Sequence, residues 1–208
     1  MRTVAVTGGI GSGKSVVCSI LSERGIPVYD SDTEAKGLYS KDRSLLRAVE
    51  QAFGCSLTLP DGSLDRSKLA GIAFSSPDRL RILEGIVHPA VLDDFKRWKA
   101  LQESRLEGQA GAETFFGNPP FCLMESALVL DKPDFLSVTD FVVLVDAPLE
   151  LRLERACARD GVSAEMIRKR MDAQRFDISR ADAVIRNDGT FASLKEKTEK
   201  VFGGLKFC

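Results

Sequence analysis

No Cys-x-x-Cys pair occurs in this chain: its five cysteines, Cys18, Cys55, Cys122, Cys157 and Cys208, are scattered and odd in number. That excludes a disulfide framework and a zinc site built on paired thiolates. Most read as small buried apolar residues and Cys208 as a surface thiol. No apolar run approaches the roughly eighteen residues of a membrane-spanning helix, and the residues after Met1 lack the layout of a secretory leader, so a soluble cytoplasmic protein is expected. Charge of neither sign is in excess, with 29 Lys and Arg against 30 Asp and Glu for a net charge of −1. A sequence-independent nucleic-acid binder would carry a basic surplus. Internal repeats and low-complexity tracts are absent, as are the Asn-Lys-x-Asp signature of guanine-nucleotide switches and the Leu-Ser-Gly-Gly-Gln signature of transporter ATPases. The single histidine, His88, precedes Pro89 within a helical stretch and reads by itself as a structural hydrogen-bonding residue.

What is present is concentrated at the start of the chain. The apolar run Val4 to Thr7 leads directly into Gly8-Gly-Ile-Gly-Ser-Gly-Lys-Ser15, which satisfies the spacing Gly-x4-Gly-Lys-Ser, and Val16 to Leu21 continues as a helix. The bland alternative is a flexible glycine turn beside an ordinary surface lysine. Chance places such an octapeptide in a chain of this length about once in a hundred cases, and the strand and helix flanks reduce that further. Gly8, Gly11 and Gly13 let backbone N–H groups approach anionic oxygens at a helix N-terminus. Lys14 supplies a point charge for the outer phosphates, and the Ser15 hydroxyl is a candidate Mg²⁺ ligand.

Further along, Ile26 to Tyr29 reads as a second strand ending at Asp30-Ser31-Asp32, and Gly25 as the cap of the preceding helix. Ligands of parallel α/β sheets gather beyond the carboxyl ends of strands, which makes Asp30 and Asp32 candidates for orienting and deprotonating an acceptor hydroxyl. The alternatives for both are helix capping ahead of Thr33 and support of a Mg²⁺ ion from behind its direct ligands. From Thr33 to about Leu101 the pattern is helical, with segments Glu34–Tyr39, Leu45–Phe53 and Arg66–Phe74, a turn at Pro60-Asp61-Gly62, and a long stretch from Pro77 to Trp98 interrupted near His88-Pro89. Gly108 to Pro120 reads as a mobile loop. Strands return at Phe121–Met124, Phe141–Val145 and Ala183–Ile185, near-continuous apolar runs of the kind covered on both faces. Phe191–Phe202 closes the chain as a helix. Arg152 to Arg180 is a charged stretch in which Arg155 and Arg159 share a helix face, Arg152 lies close by, and Arg168 and Arg175 stand two turns apart. It is either a solvated helix face or a lid whose guanidinium groups close over phosphates.

Taken in order, these residues resemble the dephospho-coenzyme A kinase family over the whole chain. The resemblance rests on Thr7 to Ser15, on Asp30-Ser31-Asp32 where the family has Asp-Ala-Asp, on Ile86-Val87-His88-Pro89-Ala90-Val91, on Arg155-x3-Arg159-Asp160 with Arg170 to Gln174, on Glu125 to Leu128 at the place of a Pro-Leu-Leu stretch, and on Ile185 to Gly189. It implies an α/β, P-loop NTPase-like parallel sheet flanked by helices, with a helical substrate-binding insertion and a helical lid. The core would comprise residues 1–32 and 118–208, the lid about 152–180 and the acceptor-binding subdomain 33–101. The implied activity is MgATP-dependent phosphorylation of the ribose 3′-hydroxyl of dephospho-coenzyme A, giving coenzyme A and ADP. Asp32 matches the residue that activates the hydroxyl; Lys14, Arg155 and Arg159 would act on the phosphates; Gly11, Ser12, Gly13, Lys14, Ser15, Val16 and Asn187 would bind ATP; Asp32, Lys36 and His88 would meet the acceptor; and Ser15 would hold Mg²⁺. Val16 replaces a usual threonine, Lys36 a frequent arginine and Asp131 a usual glutamate. A monomer acting on small molecules, without nucleic-acid or membrane partners, is expected. The alternatives are a P-loop kinase of another small metabolite and a nucleotide-dependent switch.

Overall fold

A computed structural model describes residues 1–107, 115–174 and 177–205, so that Arg175, Cys208 and most of the loop expected over Gly108 to Pro120 lie outside the described residues. In chain order the elements are β1 (Arg2–Thr7), α1 (Lys14–Ser22), β2 (Val28–Asp30), α2 (Ser31–Lys41), α3 (Arg43–Phe53), α4 (Arg66–Ala73) and α5 (Pro77–Glu107). There follow β3 (Phe121–Glu125), α6 (Pro133–Ser137), β4 (Phe141–Asp146), α7 (Leu149–Asp160), α8 (Ala164–Asp172), a 3₁₀ turn at Ile178–Arg180, β5 (Ala183–Arg186) and α9 (Phe191–Gly203). The chain divides into two compact units, Met1–Asp30 with Lys99–Cys208, and Ser31–Trp98.

The first unit holds one parallel sheet in the order β2-β3-β1-β4-β5. Its central strands are apolar almost without interruption because both faces are covered, and β3 is buried along its whole length. Val4, Val6, Leu123, Val143, Val145 and Ile185 project from the sheet into one core with Val17 and Leu21 of α1 and Leu194 and Phe202 of α9. Burying each such side chain contributes about 1.5–3 kcal/mol, which is what fixes these helices on the sheet. Consecutive strands β1 and β2 are not neighbours: β3 lies between them, pairing Val6 with Glu125 on one side and Asp30 with Glu125 on the other. With β4 on its other edge, β1 sits where the strand order reverses, and the crevice beyond its carboxyl end is where such sheets take ligands. The charged stretch folds as two helices. Gly161 (φ 64) ends α7, the Ser163 hydroxyl accepts from the Met166 N–H to start α8, and Leu153, Ala156, Ile167 and Met171 form a small core against which Ile10 packs.

The start of the second strand differs from expectation. The second strand begins at Val28 rather than Ile26, because the Ile26 N–H is drawn back to the Leu21 carbonyl in the turn that follows α1. Asp30 is thereby the last residue of the strand. Pro148, with extended ψ, stands at the N-cap of α7.

The Ser31–Trp98 unit is helical apart from one antiparallel bridge, Thr58 with Leu64, around the expected turn, where Asp61 accepts from the Ser63 N–H. Asp42 caps α3 by accepting from the N–H groups of Ser44 and Leu45. The interruption expected at His88-Pro89 does not occur: α5 runs unbroken with Pro89 inside it. Proline removes the bond to the Gly85 carbonyl and crowds it, at a cost of about 3 kcal/mol. Gly85 has open space beside it, and the next turns bury Val91, Leu92 and Phe95, so tertiary packing carries the helix through.

Candidate active site

Beyond Thr7 the backbone enters the left-handed region at Gly11 (φ 75) and Gly13 (φ 98). A Cβ at Gly11 would lie 2.1 Å from the Arg152 carbonyl oxygen, and one at Gly13 would lie 2.2 Å from Asn187 Nδ2. Both positions therefore need glycine for conformation and for space. The turn closes with Ser12 N–H donating to the Gly9 carbonyl at 3.1 Å, and α1 starts from Gly13, whose carbonyl accepts from the amides of Val16 and Val17. The Ser12 hydroxyl is 1% exposed as a residue and has no hydrogen-bond partner among the described residues. Leaving such a group unsatisfied costs about 1–3 kcal/mol, a debt that an anionic oxygen in the loop would cancel. Lys14 opens α1, and its ammonium donates to the carbonyls of Gly8 at 2.9 Å and Gly9 at 3.3 Å, which keeps the charge over the loop.

Ser15 Oγ donates to Glu125 Oε1 at 2.5 Å. Glu125 ends β3 and is nearly buried. Its carboxyl is held above the ordinary glutamate range by that burial and by the neighbouring Asp30 carboxylate, while Ser15, Lys14 and the Cys18 thiol pull the other way. Burial and the adjacent Glu125 carboxylate push the Cys18 thiol well above its usual value, so this cysteine is no nucleophile. Burial likewise pushes Cys122 up to about 11.

On the other side of the loop, Arg152 Nε donates to the Ile10 carbonyl at 3.0 Å while the Ile10 N–H donates to Gln174 Oε1 at 2.8 Å, so both halves of the Ile10 backbone are gripped from α7 and the segment after α8. Asn187 follows β5, is buried, and donates from Nδ2 to the Ser12 carbonyl at 2.8 Å. Arg155 donates to the Asn187 carbonyl at 3.1 Å. Arg159 is exposed and pairs with Asp160 at 2.6 Å, an acid that Arg170 also approaches at 3.5 Å. Thus the first unit gathers Gly11, Ser12, Gly13, Lys14, Ser15, Arg155 and Asn187 around one loop, whereas Arg159 is engaged along its own helix. Val16 is on the exposed side of α1. Asp32 is exposed in the first turn of α2, with Lys36 exposed one turn later on the same face; Arg66 donates to the Lys36 carbonyl at 2.9 Å. His88 is half-buried in α5.

Glu125, Arg152 and Gln174 are the residues that sequence reasoning left out of the site. The available signals were, for Glu125, an acid closing an apolar strand and opening a segment that carries the family resemblance; for Gln174, its place in the Arg170 to Gln174 segment of that resemblance; and for Arg152, membership of the charged stretch read as a lid. Among the described residues no group of three or more His, Cys, Asp or Glu side chains gathers into a metal site, and no helix is long and apolar enough to cross a membrane. The hard oxygen donors at the loop, the Ser15 hydroxyl with Glu125 and Asp30 behind it, suit Mg²⁺ rather than a thiophilic metal.

A glycine loop closing β1, a lysine and serine opening the next helix, and a five-stranded parallel sheet that reverses at β1 define a P-loop nucleotide-binding protein. The dephospho-CoA kinase family profile matches residues 2–193. A dephospho-CoA kinase of Porphyromonas gingivalis is 44% identical over 183 residues, 88% of this chain and 82% of that protein. One from Streptomyces avermitilis is 36% identical, covering 99% of this chain and 94% of that one. A crystal structure of a Thermus thermophilus protein superposes with a TM-score of 0.73 at 32% identity, covering 99% and 98% of the two chains, and a Campylobacter jejuni dephospho-CoA kinase shares the fold with a TM-score of 0.58 at 22% identity, covering 96% and 95%. The chain belongs to the dephospho-CoA kinase family, and it is a kinase for which ATP is the implied phosphoryl donor.

Proposed function

We propose that this chain moves the terminal phosphoryl group of ATP to the ribose 3′-hydroxyl of dephospho-coenzyme A, with Asp32 taking the hydroxyl proton. The observation that carries the reading is the loop Gly8 to Ser15 with its buried Ser12 hydroxyl, unpartnered among the described residues, found in a chain of this family. Backbone N–H groups and Lys14 bind the triphosphate and meet charge that develops on the transferring oxygens. In the step itself the 3′-oxygen forms its bond to phosphorus, the bond from phosphorus to the ADP oxygen breaks, and the hydroxyl proton passes to the Asp32 carboxylate. That residue is exposed two positions beyond the end of β2, in a first helical turn where its charge is favoured. Lys36, on the same face, and His88 bind the acceptor. Mg²⁺, held through the Ser15 hydroxyl, neutralises phosphate charge when bound. Arg155 fixes Asn187 and through it the Ser12 carbonyl, so its role begins as support of the loop; Arg159 reaches phosphates by exchanging Asp160 for them when α7 and α8 act as a lid. Residues 33–101 form the acceptor-binding subdomain, and the protein works as a monomer in the cytoplasm.

The test is acceptor choice. ADP release and coenzyme A formation are expected with dephospho-coenzyme A and not with a panel of nucleoside monophosphates and sugar acids. Turnover on the panel alone would transfer the site to another metabolite kinase, and nucleotide hydrolysis indifferent to every acceptor would make it a switch.

A further inference from the structure

Ile10, in the middle of the glycine loop, is held from outside at both of its backbone polar groups. Its N–H donates to Gln174 Oε1 at 2.8 Å, and its carbonyl accepts from Arg152 Nε at 3.0 Å. A trans peptide is planar with its C=O and N–H on opposite edges, so a partner that fixes one edge aims the other. The peptide joining Gly9 to Ile10 follows this rule. With the Ile10 N–H turned out to Gln174, the Gly9 carbonyl faces inward, where it accepts from the Ser12 N–H at 3.1 Å and from the Lys14 ammonium at 3.3 Å. In the next peptide Arg152 holds the Ile10 carbonyl outward, which turns the Gly11 N–H away from α7 and into the loop. Gly11 has no side chain to fix that plane, and glycine leaves a φ of 75° as readily as it enters it. Arg152 brackets the peptide instead. A Cβ at Gly9 would lie 2.0 Å from its Nη2, and one at Gly11 would lie 2.1 Å from its carbonyl oxygen.

We propose that Arg152 is a positioning residue for nucleotide binding: its Nε–H anchors the Ile10 carbonyl and so presents the Gly11 N–H as a donor to the phosphate chain, with no phosphate contact of its own. This rests on the phosphoryl-transfer reading above and adds a residue to its nucleotide site. The geometry separates donor from charge. Arginine Nε and glutamine Nε2 stand the same number of bonds from Cα, whereas a lysine ammonium keeps the charge one bond further out. Loss of one hydrogen bond to a charged oxygen is worth about 10- to 100-fold in affinity.

The experiment titrates the full chain with the non-hydrolysable analogue β,γ-imido-ATP and Mg²⁺, without any acceptor, and follows the Gly11 amide by NMR in protein isotope-labelled at glycine. In the parent, binding should move the Gly11 amide downfield as it meets phosphate. Arg152→Met is expected to weaken binding by about 10- to 100-fold and to lose that downfield shift at saturation. Arg152→Gln, which keeps a donor in the same place without the charge, recovers most of the affinity and the shift; Arg152→Lys, which keeps the charge without that donor, does not. A role confined to the packing of α7 would lower stability in denaturation and leave the Gly11 signal where it is. Should Arg152→Met fail to fold, the comparison of the glutamine and lysine variants decides. Three results would overturn the proposal: unchanged affinity in Arg152→Met, binding by Arg152→Lys as tight as by Arg152→Gln or tighter, or a Gly11 amide that stays still in the parent or moves equally in Arg152→Met. These leave coenzyme A formation standing, since that is read from acceptor turnover, whereas a parent that binds no analogue would overturn both readings together.

Discussion

Replacing Gly13 by alanine tests the loop geometry more directly than any loss of a charged group. The new methyl would arrive 2.2 Å from Asn187 Nδ2, on a residue whose φ of 98° and ψ of 24° lie in the left-handed region. The backbone conformation alone costs about 1–2 kcal/mol for a residue with a Cβ. Displacing Asn187 breaks its bond to the Ser12 carbonyl in a buried setting, adding about 1–3 kcal/mol. Urea denaturation without nucleotide should therefore show Gly13→Ala to be about 2–5 kcal/mol less stable than the parent. The two contributions separate in an Asn187→Ala background. There the methyl meets no amide, and Gly13→Ala should cost only the conformational part, about 1–2 kcal/mol. An identical cost in both backgrounds would refute the clash, and a cost under about 0.5 kcal/mol in the parent would refute the left-handed cap itself.

Three other outcomes are expected. Lys14→Ala and Asp32→Asn should both nearly abolish ADP release, but only the first should weaken nucleotide binding; loss of a general base alone accounts for about 10²–10⁴ in rate, measured at saturating ATP. Asp140 accepts from Thr3 N–H at 2.8 Å and pairs with Arg2 at 2.7 Å, and although burial pushes its carboxyl up, these partners hold it below the usual aspartate range. Its stabilising contribution is therefore present above the unfolded value near 4 and is lost as pH falls through the folded one. Asp140→Asn should destabilise at pH 7 and progressively less toward pH 3, as followed by denaturation at each pH. Pro89→Ala should restore the amide that the Gly85 carbonyl lacks and raise stability by about 1–2 kcal/mol, visible as a higher melting temperature.

Local pattern was informative wherever the physics is local. Phe121–Met124 and Phe141–Val145 announce buried strands because nothing polar interrupts them, and the octapeptide from Gly8 announces its own turn because few other residues tolerate that backbone. Pattern failed at Pro89, where the penalty is local but the packing that outweighs it comes from Val91, Leu92 and Phe95. It also failed at the start of β2, where one backbone bond from Ile26 to the turn after α1 moved the boundary by two residues.

Residues 1–15, read alone, determine that the chain presents a ring of amides, a lysine and a hydroxyl to an anion, since strand, glycine turn and helix follow from steric rules acting within a few positions. Which carboxylate stands under that hydroxyl was decided only when β3 inserted between β1 and β2, for strand order is set by how the whole set of apolar faces is buried. In the same way Arg152, Gln174 and Asn187 reach the loop because α7, α8 and β5 fold back on it, joining residues 142 to 175 positions apart through bonds that no short stretch of sequence can encode.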